Sequence, residues 1–238
     1  MKIIKNTLLG FGLLSISVQS MAAIVQISGN TVDFVYDTDL IDSLFGTLSV
    51  SGDSIFATPI DFKASSTNGV GVNTGTAIDL INAIGTIQVV VKDGYSFTGI
   101  SVGEGGKYNI TGGGSVSVDA SLRLFDWDYP APVFGTEEKV VLTSTTIFTT
   151  NDGNDHQWTA SGGFDMTTPL WDGVTHVGLT LDNTLRAISG SGDSAFIDKS
   201  AVGAVGFTIE TAVIPVPAAI WLFGSGLLGL MGVARKRA

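Results

Sequence analysis

The chain has 238 residues and no cysteine, so a disulfide framework and thiolate chemistry are both excluded. It carries 22 acidic and 12 basic residues, which gives a formal net charge of −10 at pH 7. All 22 acidic residues but only seven basic ones fall within residues 23–212, so this body carries a formal charge of −15, which argues against a nucleic-acid partner. A body of about 190 residues can bury one sizeable core.

The first 22 residues have the three parts of a signal peptide. Lys2 and Lys5 provide a basic start, residues 8–18 are apolar, and the small residues Ala22 and Ala23 offer a cleavage site for signal peptidase. We therefore predict export across the inner membrane, with a mature chain that starts at or beside residue 23.

Residues 23–212 read mainly as short strands. Val32, Phe34 and Tyr36 occupy alternate positions in TVDFVYD and so share one face, and the same period of two recurs in later segments such as TIQVVVKD and HVGLTLD. Turns rich in Gly and Asp separate these segments, without long helices between them. The pattern favours an all-β fold, an antiparallel β-sandwich of jelly-roll or immunoglobulin-like type, over a parallel fold.

One segment departs from this pattern. Over residues 76–84, isoleucines recur near helical spacing, and Thr76 with Asp79 matches a capping box. We predict a short helix here.

A short repeat occurs as SGDSIF at residues 51–56 and SGDSAF at residues 191–196. We interpret each copy as a tight Gly-Asp turn that leads into a strand whose Phe packs inward. Some hydrolases place a nucleophilic serine after Gly-Asp, but here no Gly-Gly follows the serine, and neither His156 nor His176 has an Asp three residues before it. We predict no catalytic function.

Glutamates are few and poorly placed for glycoside hydrolysis. Glu104 lies in the Gly-rich stretch VGEGGK, and Glu137 and Glu138 are adjacent, which on a strand would turn them to opposite faces. A glycosidase needs two carboxyl groups that face each other across a cleft. We predict that these glutamates are solvated loop charges.

Three Asp-rich stretches offer the oxygen ligands that Ca²⁺ accepts on extracellular loops. They contain Asp37 with Asp39, Asp126 with Asp128, and Asp152 with Asp155. None has the complete Asp-x-Asp-x-Asp-Gly pattern with a distal Glu. We predict no cofactor, with Ca²⁺ as the alternative.

The aromatic residues supply the best ligand hypothesis. A sugar-stacking surface would use the side chains of Trp127, Tyr129, Trp158 and Trp171, of which the first two flank an aspartate in DWDYPAP. Packing of these rings in the core is the simpler interpretation.

The last 26 residues combine an extended element, an apolar run and a basic end. Pro215 and Pro217 hold the chain extended, residues 218–234 carry no charge, and Arg235, Lys236 and Arg237 follow at once. At about 1.5 Å per residue the apolar run spans roughly 25 Å, the short end of what crosses a bilayer. We predict a transmembrane helix at residues 218–234 with the basic terminus in the cytoplasm.

This tail, with Val216 between the two prolines and Ala218 after them, resembles the PEP-CTERM sorting signal of Gram-negative bacteria in its VPxPA variant. The resemblance covers residues 213–238 only. It implies recognition by an exosortase, a membrane cysteine protease or transpeptidase that cuts near the Pro-x-Pro element. It also implies an association with exopolysaccharide, biofilm or floc formation. A permanent C-terminal anchor is the alternative.

These features lead to one expectation about function. We expect an exported protein, held transiently in the membrane and then released to the cell surface or beyond, that serves as a non-catalytic structural or adhesive part of the envelope or exopolysaccharide matrix. A carbohydrate-binding module is the second hypothesis and a secreted hydrolase the third. The expected partners are signal peptidase, exosortase and an exopolysaccharide.

Overall fold

The structure, a computed structural model, describes residues 24–39, 41, 43–73, 76–77, 87–129, 135–144, 148–199 and 204–215, together with Phe223 and Ser225. Within these residues the chain forms sixteen strands in two antiparallel sheets. In the same described residues, short 3-10 helices lie at Ser43–Phe45 and Pro169–Trp171. The prediction of an all-β antiparallel fold is confirmed.

The first sheet has seven strands. They are β1 (Ile24–Ser28), β2 (Val32–Asp37), β7 (Thr76–Ala77), β8 (Ile87–Val91), β10 (Ser115–Asp126), β11 (Glu137–Val141) and β14 (His176–Ile188). Their order across the sheet is β1-β2-β8-β14-β10-β11, and β7 pairs with β14 beyond β8.

The second sheet has nine strands. They are β3 (Thr47–Ser51), β4 (Ser54–Thr58), β5 (Lys63–Thr67), β6 (Val70–Asn73), β9 (Tyr95–Thr111), β12 (Thr143–Ser144), β13 (His156–Asp165), β15 (Ser194–Asp198) and β16 (Val205–Val213). The order is β3-β4-β16-β9-β15-β5-β6, and β13 pairs with the other edge of β9 and with β12.

The core lies between the two sheets and follows the predicted period of two. Val32, Phe34 and Tyr36 of β2 are buried, while the residues between them are only partly buried. The inner faces of β8, β9 and β14 add to the same apolar cluster. Because alternate residues are buried, the strands could be predicted from the local sequence.

The stretch VGEGGK lies inside β9, so its prediction as a loop is wrong. A Cβ atom added to Gly106 would lie 1.8 Å from the backbone oxygen of Asp198, and one added to Gly105 would lie 2.9 Å from that of Trp158. Glycine is needed here because other parts of the chain approach β9 closely. The close approach is a tertiary feature that composition alone does not distinguish from a loop.

The predicted helix over residues 76–84 is wrong at its start. Thr76 and Ala77 form β7, in which Ala77 pairs with Asn183 and Thr76 with Thr184 of β14. Pairing with a central strand outweighs a local capping signal. The rest of the predicted helix lies outside the described residues.

The repeated SGDS segments are turns, as predicted, but their phenylalanines do not face the core. Gly52, at a φ of +60°, starts the turn that joins β3 to β4. Ile55 is fully buried, whereas Phe56 on the opposite face is only half-buried, and Phe196 in the second copy is also half-buried. The residue directly after the serine points inward, so the next one points outward.

Asp53 connects this turn to the turn between β1 and β2. The backbone N–H of Thr31 donates to Asp53 Oδ1 at 2.8 Å, and Thr31 Oγ1 donates to Oδ2 at 2.7 Å. Burial raises the pKa of the Asp53 carboxyl, but hydrogen bonds from Thr31, Asn30 and Val32 outweigh this and hold the pKa below its ordinary value.

Asp53→Asn is expected to lower the free energy of unfolding by about 1–2 kcal/mol at neutral pH, since it weakens hydrogen bonds to a charged acceptor. A lowered carboxyl pKa stabilises the fold above the unfolded value of about 3.9, and this stabilisation is lost as pH falls through the folded value. The difference in free energy of unfolding between wild type and variant, measured by urea unfolding, should therefore be smaller at about pH 3 than at neutral pH. Asp93→Asn, at an exposed turn, is the control. An equal difference at both pH values would show that the charge of Asp53 is not responsible.

Candidate functional site

Three polar side chains meet in the apolar space between the two sheets. Glu104 extends from β9, Asn183 from β14 of the opposite sheet, and Lys199 directly follows β15. The side chains of Lys199 and Glu104 are 0% exposed, and Asn183 is also fully buried. Charged groups are rarely buried unless they are paired, because desolvation costs several kcal/mol. We refer to these three residues as the core polar cluster.

The strand pattern explains why the cluster points inward. Glu104 shares the inner face of β9 with Ile100 and Val102, and Asn183 shares that of β14 with Leu179 and Leu181. Each polar residue therefore occupies a position where the period of two predicts an apolar one. That mismatch is the sequence signal that sequence reasoning missed.

One oxygen atom of Glu104 links the three side chains. Lys199 Nζ donates a hydrogen bond to Glu104 Oε2 at 2.5 Å, and Asn183 Nδ2 donates to the same oxygen. Among the described residues, Glu104 Oε1 and Asn183 Oδ1 have no hydrogen-bond partner. Leaving such buried atoms unpaired is costly, so each one needs an explanation.

Aromatic rings surround the lysine. Lys199 Nζ lies 5.1 Å from the ring centroid of Phe62 and 5.4 Å from that of Trp158. The backbone also holds this arrangement, since the Lys199 N–H donates to the oxygen of Phe62 at 3.0 Å, and Trp158 Nε1 donates to the oxygen of Asp198 at 3.2 Å. The amine is therefore fixed in position as well as buried.

Burial lowers the pKa of Lys199 to about 8, although the neighbouring carboxylate of Glu104 opposes this shift. More of this amine is neutral near physiological pH than in an exposed lysine. A neutral, desolvated lysine amine is a nucleophile. The cluster thus places a nucleophile and a carboxamide on the same oxygen of one carboxyl group.

The glutamates differ from their prediction as solvated loop charges. Glu104 is a buried strand residue, so the prediction is wrong for it. Glu138 is half-buried on β11, where its Oε2 accepts a hydrogen bond from Trp171 Nε1 at 2.7 Å. Glu137 is exposed on the same strand, 3.5 Å from Arg123. Neighbouring strand residues face opposite ways, as expected.

The four aromatic candidates do not share one exposed surface. Trp158 and Trp171 are buried, so their rings are not open to a sugar. Trp127 is half-buried, with its ring centroid 5.8 Å from that of Phe125 and 5.6 Å from that of His176. Tyr129 is 52% exposed. Sugar stacking stays a prediction for Trp127 and Tyr129 only.

The Asp-rich stretches form local turns. In each, the first aspartate accepts a hydrogen bond from the backbone N–H two residues later, at 2.9 Å for Asp37, 3.0 Å for Asp126 and 2.9 Å for Asp152. His156 and His176 contact Asp152 and Asp128, respectively. Within the described part of the chain, no group of three or more His, Cys, Asp or Glu residues could hold a metal ion. Calcium binding stays the untested alternative to the prediction of no cofactor.

A cavity of about 640 Å³ lies at one end of the sheets. Its walls come from the start of β9, the segment 166–175 and the end of β16, and include Phe97, Met166, Trp171 and Pro215. Pro215, which closes the described segment 204–215, is one of its lining residues.

Most of the predicted sorting residues lie outside the described residues. These are Ala22, Ala23, Val216, Pro217, Ala218, Arg235, Lys236 and Arg237. Of residues 218–234, only Phe223 and Ser225 are described, and both are helical. Across the part of the chain that the structure describes, no helix is long and apolar enough to cross a membrane.

No family model matches this chain, and no curated protein matches it. Among solved structures, it is similar to a chain in the structure of the infectious bursal disease virus Gt strain, with 13% sequence identity and a TM-score of 0.28. The match covers 85% of this chain and 52% of the viral chain, so the present chain spans about half the length of that relative.

Proposed function

We propose that this chain is an exported surface protein without catalytic function, a structural or adhesive component of the envelope or the exopolysaccharide matrix of a Gram-negative bacterium. The observation that carries the proposal is the tail at residues 213–238, where a Pro-x-Pro element, an apolar run and a basic cluster follow one another. Signal peptidase removes residues 1–22, the apolar run at 218–234 spans the inner membrane during export, and an exosortase then cuts near Pro215.

The end of the folded body supports this order of events. Strand β16 ends at Val213, and the N–H of Ile214 donates to the oxygen of Gly94 at 2.8 Å. Val213 is 67% exposed and Ile214 50% exposed, and Pro215 is also exposed. Pro215, the first proline of the proposed sorting element, therefore follows the last strand at an exposed position, which supports access by a protease.

The strand-rich body fits a structural role. Two sheets with one shared core are consistent with a jelly-roll or immunoglobulin-like sandwich, the architecture that we propose for residues 23–212. The body's formal charge of −15 repels an anionic polysaccharide, so attachment to such a matrix would need bridging divalent cations.

Mass analysis of the two ends of the chain tests the sorting proposal. Protein recovered from the membrane, cell surface and culture medium should start at residue 23 or 24, and the processed form should end near Pro217. Replacing Pro215 and Pro217 together with Ala should leave the tail uncut, whereas Pro169→Ala should not change processing. Surface material that keeps Arg235 to Ala238 would instead identify a permanent anchor.

Glycan binding is the second candidate function. It is supported by the partly exposed ring of Trp127 next to exposed Tyr129 and the carboxylate of Asp128. Trp127→Ala is expected to abolish retention on the host's own polysaccharide, while Ile60→Ala, at an exposed bend residue just after β4, should retain it. Equal retention by both variants would remove this candidate.

A further inference from the structure

We propose that the core polar cluster forms an intramolecular isopeptide bond between Lys199 Nζ and Asn183 Cγ, with Glu104 as the catalytic residue. The reaction depends on the cluster alone, so it is independent of the proposed sorting route and surface role. It assigns a chemical step to a protein that otherwise has no enzymatic function in our proposal.

The step balances without any co-reactant. The neutral amine of Lys199 attacks Cγ of Asn183, a new C–N bond forms, and the bond from Cγ to Nδ2 breaks. One proton leaves Nζ and one reaches Nδ2, which departs as ammonia. The products are a secondary amide and one molecule of ammonia, with no oxidation or reduction.

The position of Glu104 suits this proton transfer. Its Oε2 contacts both the nitrogen that attacks, at 2.5 Å, and the nitrogen that leaves. A single carboxyl group can therefore take the proton from Lys199 and give it to the departing amide nitrogen. When protonated, the same carboxyl group can also donate a hydrogen bond to Asn183 Oδ1, which is unpaired among the described residues.

The surroundings favour the amine as a nucleophile. Lys199 is fully buried beside Phe62 and Trp158, so its charged form is not hydrated, and the pKa of about 8 reflects this burial first. The aromatic walls and the backbone bonds of Lys199 restrict its motion. The amine is thus held beside Glu104, on the same oxygen as the carboxamide of Asn183, which raises its effective concentration there.

The bond would join the two sheets covalently. Asn183 lies on β14 of the first sheet, and Lys199 follows β15 of the second. The chain has no cysteine, so no disulfide can make such a link. An isopeptide bond would serve the same mechanical purpose and would resist reducing agents.

Peptide mapping of the full-length chain, purified in folded form, tests the proposal. Trypsin cuts after Arg186, which lies between the two residues, and separates their peptides unless the side chains are joined. We expect the two peptides to remain linked through their side chains, uncut after Lys199, with a mass about 17 Da, the mass of ammonia, below the sum of the two separate peptide masses. Separate peptides of unchanged mass, with cleavage after Lys199, would overturn the proposal.

Variants test which residues cause the mass loss. Lys199→Arg, Asn183→Ala and Glu104→Gln should each give unlinked peptides, whereas Lys107→Arg, at a partly exposed lysine nearby on β9, should keep the link. Asn68-Gly69 can also lose ammonia by closing a ring with its own backbone. A loss that persists in Lys199→Arg would therefore overturn the isopeptide assignment. The mapping of the wild-type chain decides the question even where a variant fails to fold.

Discussion

Glu104→Gln is expected to lower the free energy of unfolding by about 3–5 kcal/mol at pH 7, among the largest effects of any single substitution in this chain. The change keeps the size of the side chain but removes its negative charge. Lys199 then has no counter-charge beside Phe62 and Trp158, so in the folded state it must either stay a buried unpaired cation or give up its proton, and both cost free energy. Removing one partner of a buried pair costs more than the pair itself contributes, because the other charge stays desolvated.

The pH dependence identifies the cause. Burial already lowers the pKa of Lys199 to about 8, and loss of the carboxylate lowers it further. Between the folded pKa and the unfolded value of about 10.4, the unfolded state binds the extra proton, so stability rises with pH in this interval. Denaturant unfolding of Glu104→Gln should therefore show a stability that increases on the alkaline side. A stability of the variant that is independent of pH up to about 10 would contradict this explanation.

Two controls separate the contributions. Glu210→Gln removes an exposed carboxylate from the outer face of β16 and should change the free energy of unfolding by less than about 0.5 kcal/mol. Asn183→Ala cannot form the proposed isopeptide bond but keeps the pairing of Lys199 with Glu104. The difference in free energy of unfolding between Asn183→Ala and Glu104→Gln is therefore expected to reflect mainly the loss of the partner of Lys199.

Gly106→Ala is expected to destabilise the fold by on the order of 3 kcal/mol or more, because no space exists for a methyl group. The added Cβ would lie 1.8 Å from the backbone oxygen of Asp198 and 3.1 Å from Trp158 Nε1. Backbone atoms cannot rotate away as a side chain can, so β9 and the end of β15 must separate. Since Lys199 is the next residue after Asp198, the same displacement would withdraw its amine from Glu104.

Gly103→Ala is the matched control on the same strand. A Cβ at Gly103 would meet no atom within 4 Å among the described residues, so the added methyl group has room. We expect no loss of stability, or a gain of about 0.5–1 kcal/mol from the lower entropy of the unfolded chain. Thermal and urea unfolding of both variants give the comparison. Similar destabilisation by both would show that alanine is unfavourable along this strand in general, and not through contact with Asp198.

The sequence by itself determined the features that depend on short segments. Val32, Phe34 and Tyr36 occupy alternate positions because one face of β2 is buried, and the local pattern is enough to predict this. The proposed sorting signals at the two ends are likewise predictions from short local segments. Local pattern gave wrong predictions where the answer depends on how strands pack. Examples are Glu104 as a loop charge, residue 76 as a helix start and Phe56 as a core residue.

The core polar cluster could be identified only from the tertiary structure. Glu104 is 79 residues from Asn183 and 95 residues from Lys199 in the chain, so no short motif contains more than one of them. Their roles depend on two sheets that pack face to face and bring the inner sides of β9 and β14 into contact. The same glycines that resemble a loop in sequence are the residues that allow β9 to accept the close approach of Asp198. Burial and partners are properties of the packed sheets, which is why they become visible only in the folded chain.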